Sequence, residues 1–284
     1  MKTIFPLFIA LKLSGAPNRV TCPQYDNVPS QHNQRRTIMS LILRVVAAFA
    51  FAVSAASGII AAESKATQPV AGTTNGEKWW RGKYEGINAN IKKMDGKIDV
   101  ALVGDSITAR WGGESWTKHW GAYRAVNMGI GGDQTQNVLW RLQNGQLDGY
   151  KARLFILMIG TNNLWDKNAD PADVAAGIKA IIELIKTKQP QAKILLMGIL
   201  PTGEKPNAGR EKRAAVNKLI SKFEGGAVSY LDIGDKFLQP DGTISKDVMH
   251  DYLHLSPKGY DIWAEAIKEK VKELLGEASA AQAP

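Results

Sequence analysis

The chain has 284 residues, an ordinary apolar fraction of 44% and a formal charge of +9, which suits one large domain with extensions. Residues 1–62 hold six of the bases and one acid, so the remainder carries only +4; that charge is mixed along the helical stretches, with no basic stripe interleaved with aromatics, which argues against nucleic acid as a partner. The single cysteine, Cys22, lies in the N-terminal extension, excluding an intrachain disulfide and, in the main domain, a cysteine nucleophile or a cysteine-based zinc site.

Residues 1–38 form an irregular extension punctuated by Pro6, Pro17, Pro23 and Pro29. Residues 39–62 then combine a positive flank, an apolar run and small residues at its end, the make-up of a secretory signal, with Ala61-Ala62 as the cleavage region and Met39 as a natural start. This predicts export to the periplasm or the medium. If retained, the run is about long enough for a short anchor, the one membrane contact expected. Arg35-Arg36 raises a twin-arginine route. Residues 63–76 read as a polar linker, 77–276 as the folded domain and 277–284 as a disordered tail.

Trp79-Trp80 opens the domain and is read as packing, with a substrate platform as the alternative. A helix over 84–93 places Ile87 and Ile91 on one face. The apolar run 98–103 predicts a buried strand ending at Gly104-Asp105-Ser106, followed by a Trp- and Gly-rich loop. Residues 125–128 form a second short strand, ending in Gly129-Ile130-Gly131-Gly132-Asp133-Gln134. Gln134 stands where a dinucleotide fingerprint needs its third glycine. A helix follows over 135–142.

The third strand, 154–159, ends in Gly160-Thr161-Asn162-Asn163. A helix over 171–188 buries Val174, Ile178, Ile181, Ile182 and Ile185 between Pro171 and Pro190. A fourth strand at 193–200, a helix at 209–223, a fifth strand at 228–233 and a last helix at 257–275 complete the pattern. Strands alternating with helices at this spacing mean an α/β three-layer sandwich on a five-stranded parallel sheet.

In open α/β sheets ligands bind at the carboxyl ends of strands, and three of those ends carry polar or glycine-rich residues. A fourth polar stretch is His250-Asp251-Tyr252-Leu253-His254. Acyl transfer needs a nucleophile, a base, a group that orients the base, and donors for the oxyanion. Ser106 suits attack on a carbonyl, and His254 suits the proton shuttle. Asp251, three residues earlier on a turn, can reach the other imidazole nitrogen. The oxyanion donors would be the N–H groups of Ser106 and Gly132 and the side-chain amide of Asn162. Activity is then expected to fall as His254 takes up a proton at acid pH. His119 and His250 are read as surface residues.

Gly104-Asp105-Ser106, Gly132, Gly160-x-Asn162 and Asp251-x-x-His254 resemble the four blocks of the SGNH (GDSL-type) hydrolases, in order. Asn127–Asp133, Val138–Leu142, Gln189–Ile194 and Gly203–Asn207 are similar, more narrowly, to the catalytic subunits of the platelet-activating-factor acetylhydrolase subfamily. The resemblance implies a flavodoxin-like SGNH hydrolase fold and serine esterase activity with no metal and no cofactor. It also implies a tight acyl pocket formed by Ile107, Thr161 and Leu253, compatible with acetyl. The export signal and the Trp79-Trp80 start depart from the subfamily, and point from phospholipid towards acetylated polysaccharide or another small-molecule ester. A homodimer stays open.

The alternatives are a lysophospholipase or thioesterase on the same residues, a non-catalytic binding module of the same fold, and a zinc site on His250 and His254. The zinc reading needs one continuous helix through both imidazoles, which Pro257 restricts.

Overall fold

The computed structural model describes residues 64–277. The irregular extension, the export or anchor segment, Cys22, and the tail beyond residue 277 lie outside the described residues. The elements are α1 (Glu77–Lys92), β1 (Lys97–Gly104), α2 (Ser106–Ala109), α3 (Gly113–Trp120), β2 (Ala125–Gly129), α4 (Thr135–Arg141), β3 (Lys151–Met158), α5 (Pro171–Lys188), β4 (Lys193–Met197), α6 (Ala208–Ile220), β5 (Val228–Leu231) and α7 (Pro257–Leu275). The five strands pair in parallel in the order β2-β1-β3-β4-β5. The chain is therefore an α/β three-layer sandwich of the flavodoxin-like kind. β1 lies between β2 and β3, so its carboxyl end has a neighbouring strand exit on each side.

Alternate residues of β1 enter different cores, because successive side chains of a strand point to opposite faces. Ala101 and Val103 pack with Trp80, Val138, Ile178 and Val216 from α1, α4, α5 and α6. Val100 and Leu102 pack with Ile107, Trp120 and Trp263 from α2, α3 and α7. Both faces are thus buried, which is why the strands read as near-continuous apolar runs. The two long helices start where their caps dictate. The Asp170 carboxylate accepts from the Ala172 N–H at 2.8 Å, and the Ser256 hydroxyl accepts from the Gly259 N–H at 3.1 Å, each followed by proline at the first helical position.

Three sequence expectations need correction. The stretch 106–120, read as a loop, contains α2 and α3. The first helix begins at Glu77, which separates the paired tryptophans: Trp80 is fully buried, whereas Trp79 is 37% exposed. Neighbours on a helix point about 100° apart, so one apolar stripe cannot take both. Finally, the part of the linker that is described, 64–76, is strapped to the domain. The Ala66 carbonyl accepts from the Thr135 hydroxyl at 2.9 Å, the Val70 carbonyl accepts from the Asn137 amide at 3.0 Å, and the Val70 N–H donates to the Gln136 carbonyl at 3.2 Å.

Candidate active site

β1 ends inside the sheet, and the Asp105 carboxylate then accepts from the Ile107 N–H at 2.9 Å. That cap turns the chain at once into α2, so Ser106 sits on a sharp strand-to-helix corner. Asp105 is fully buried. Burial, helped by the nearby Asp133 carboxylate and opposed by the Ile107 N–H, pushes its carboxyl up to about 7.

The second half of the site arrives after β5. Residues 248–256 form a closed loop, with an antiparallel bridge between Met249 and Leu255 and the Ser256 N–H donating to the Val248 carbonyl at 2.9 Å. The Gly203 N–H, in the exit of β4, donates to the Tyr252 carbonyl at 2.8 Å. Tyr252 takes a left-handed conformation, φ 61°. The loop aims His254 Nε2 at the Ser106 hydroxyl, 2.9 Å away, and His254 Nδ1 at Asp251 Oδ2, 2.6 Å away. The other Asp251 oxygen accepts from the His254 N–H at 2.7 Å and the Leu253 N–H at 3.1 Å. Burial pushes the Asp251 carboxyl up, but these three hydrogen bonds together outweigh it and hold the group well below the usual carboxylate range. A proton kept on Nδ1 by an ionised carboxylate leaves the Nε2 lone pair facing the serine. One further bond joins the two halves: the Tyr260 hydroxyl, in the first turn of α7, donates to the Ile107 carbonyl at 2.7 Å.

The strand exits beside Ser106 are held together. The Asn162 amide donates to the Asp133 carbonyl at 2.8 Å, and the Gln134 amide donates to the Asn162 carbonyl at 3.1 Å. A Cβ on Gly131 would lie 3.8 Å from that of Ser106. Gly132 has φ 80°, and a Cβ there would collide with Thr74, so the position requires glycine. Beneath the loop lies a buried ion pair that the sequence reading missed. Arg141 Nε donates to Asp133 Oδ2 at 2.8 Å, with both side chains fully buried. Arg141 also donates to Gln146 Oε1 at 2.6 Å and to the Gly104 carbonyl at 3.1 Å, and the Trp80 indole N–H donates to Asp133 Oδ1 at 2.6 Å. The signal was present: Arg141 is three residues after Val138, on the apolar face of its helix.

Of the residues assigned to an acyl pocket by resemblance, Ile107 is in the core on the α2–α7 face, half-buried Leu253 packs against that core, and Thr161 is buried at the β3 exit. A recess of about 1320 Å³ between α1 and the α2–α3 segment includes none of Ser106, Asp251 or His254. His250 is exposed, as expected, but His119 is not a surface residue: its side chain is 9% exposed and its Nε2 lies 2.6 Å from Asp261 Oδ1, linking α3 to α7. None of residues 250–255 is helical, so no continuous helix presents His250 and His254 to a shared metal.

The GDSL-like Lipase/Acylhydrolase family model matches residues 102–262. The chain is 41% identical to the platelet-activating factor acetylhydrolase IB subunit alpha2 of Rattus norvegicus over 205 residues, 71% of this chain and 87% of that protein. It is 37% identical to the human (Homo sapiens) alpha1 subunit over 212 residues, 74% of this chain and 90% of that protein. Among solved structures, a putative platelet activating factor from Streptococcus pneumonia superimposes with a TM-score of 0.58 at 24% identity, covering 69% of this chain and 95% of that one. At that identity the likeness speaks for the fold.

Proposed function

The chain belongs to the GDSL-like lipase/acylhydrolase family and is an ester hydrolase; from that premise we propose that it is a serine esterase for short acyl groups, acetyl above all, working through Ser106, His254 and Asp251. The observation that carries this reading is the unbroken hydrogen-bonded chain from the Ser106 hydroxyl through both imidazole nitrogens to Asp251. In the first half-reaction Ser106 Oγ attacks the ester carbonyl while its proton passes to His254 Nε2. The imidazolium, stabilised by Asp251, returns that proton to the departing alcohol. A water molecule then attacks the acyl-serine through the same base, releasing the acid and regenerating the hydroxyl.

The oxyanion falls to the Ser106 N–H, the Gly132 N–H and the Asn162 amide. An amide nitrogen carries two hydrogens, so the bond from Asn162 to the Asp133 carbonyl leaves one for a ligand. Losing one such donor typically costs about 3–4 kcal/mol of transition-state stabilisation. The preference for acetyl is supported by the acetylhydrolase names of the relatives. Export through residues 39–62 belongs to the same proposal, and N-terminal sequencing of protein recovered outside the cytoplasm checks it.

A series of p-nitrophenyl esters of rising chain length tests the reading, with the Ser106→Ala full chain as blank. Acetate should give the highest kcat/KM and the variant no activity above background. A maximum at octanoate or beyond would defeat the short-acyl claim, and residual activity in the variant would defeat the nucleophile.

A further inference from the structure

Four large apolar side chains are exposed among the described residues, and two of them are tryptophans on the carboxyl-end side of the sheet: Trp79 at 37% and Trp165 at 58%. Trp79 lies over the exit of β2. A Cβ on Gly131 would be 3.6 Å from the Trp79 ring and 3.8 Å from the Ser106 Cβ, so the indole rim and the nucleophile border the same point. Trp165 ends the short turn Asn163–Trp165 that follows Asn162, at the exit of β3. Because β1 runs between β2 and β3, the exits that carry Trp79 and Trp165 flank the strand that ends at Ser106.

Each ring is backed by a cation. The Lys83 ammonium is 5.5 Å from the Trp79 ring centre, and the Arg213 guanidinium is 5.3 Å from that of Trp165. Arg213 is 2% exposed, so it supports its ring from the protein side. Trp79 also walls an open recess with Asn75, Lys78, Gly82 and Lys83, which gives room beyond the ring and polar groups at its edge.

We propose that Trp79 and Trp165 are stacking platforms for sugar rings, so that the alcohol half of the substrate is a pyranose of an O-acetylated glycan. This rests on the reading of Ser106 as an esterase nucleophile and identifies the leaving group. An aromatic face carries negative potential, and a pyranose offers it a flat face of polarised C–H bonds while its hydroxyls reach Asn75 and the lysines. A choline headgroup would also seek an aromatic face, but here a cation already occupies one side of each ring, and no acid lines the recess beside Trp79. Apart from Trp79 the recess is lined by Asn75, Lys78, Gly82 and Lys83, which gives an alkyl chain no continuous apolar path. The reaction balances as one ester bond and one water consumed, with acetate and a free sugar hydroxyl released.

The test compares the wild-type full chain with Trp79→Ala, Trp79→Phe and Trp165→Ala on O-acetylated xylo-oligosaccharides and on ethyl acetate, whose leaving group has no ring. The ratio of the two kcat/KM values should fall about five- to tenfold in each alanine variant, the size of one aromatic stacking contact. The fall should come mainly through KM for the oligosaccharide, and Trp79→Phe should recover most of it. Ratios within twofold of wild type in both alanine variants would overturn the proposal, as would a loss confined to an ether phospholipid substrate. If wild type hydrolyses neither ethyl acetate nor p-nitrophenyl acetate, the esterase reading has failed instead. The platforms are then decided by titrating the Ser106→Ala full chain with unacetylated xylotetraose: quenching of tryptophan fluorescence that Trp79→Ala diminishes supports them, and no quenching overturns them.

Discussion

Replacing Arg141 by Met keeps an aliphatic stem of similar length and removes only the guanidinium. Asp133 is then left fully buried with the Trp80 indole N–H as its remaining side-chain donor, and the Gly104 carbonyl and the Gln146 side chain each lose a donor. Breaking a buried ion pair from one side typically costs about 3–5 kcal/mol, because the orphaned charge stays desolvated. For a domain of this size that is roughly ten degrees of melting temperature. Urea unfolding followed by tryptophan fluorescence reads the loss directly. Two internal checks separate a charge effect from a packing effect. Lowering the pH should shrink the deficit, since a protonated Asp133 no longer needs a cation. Adding Asp133→Asn to Arg141→Met should recover part of the loss, because the orphaned charge is gone and the two sites are directly coupled. A loss below about 1 kcal/mol, or a double variant whose loss is the sum of the two singles, would refute the view that this pair anchors the corner.

Burial holds the Asp105 carboxyl up to about 7 against an ordinary value of 3.8. The folded state therefore keeps a proton that the unfolded chain releases, and the associated stability is complete below the lower value and lost as pH rises through the higher one. Between pH 5 and 8 wild type should lose about 2–3 kcal/mol from this group, and Asp105→Asn should flatten that fall in urea midpoints; equal falls would count against it. Gly132→Ala should lose about two orders of magnitude in kcat, because the backbone N–H shifts to relieve both the positive φ and Thr74; Thr74→Gly beside it should restore part but not all, and an active single variant would remove Gly132 from the oxyanion site. Asp251→Asn should lower kcat by about 10³–10⁴ through loss of the imidazole tautomer. Its unfolding free energy should move by less than about 1 kcal/mol, since the side chain is well exposed; normal turnover would separate Asp251 from the base.

The parts of the fold that were legible are those whose signals are local. The helices at 171–188 and 257–275 announce themselves by Asp170-Pro171 and Ser256-Pro257, and the strands by runs that must be apolar on both faces. The positions of the candidate site residues were legible for the same reason, because Ser106, Gly132 and Asn162 each follow a strand, and Asp251 and His254 are three residues apart in one loop. What escaped depends on partners distant in sequence. α2 and α3 are too short for a 3.6-residue period to show. The strap at 64–76 is held largely by backbone carbonyls, which any residue supplies. His119 needed Asp261, and Arg141 needed Asp133, before their burial made sense.

The hydroxyl of Tyr260 on the carbonyl of Ile107 ties the residue after the serine to the same first turn that trails the imidazole loop. The strand-to-helix corner that carries Ser106 and the loop that carries His254 are thus cross-linked by a side chain as well as by the sheet. The ion pairs of that helix, Lys268, Lys270 and Lys272 with glutamates, lie on its exposed side, so a change of charge there leaves the Tyr260 cross-link untouched.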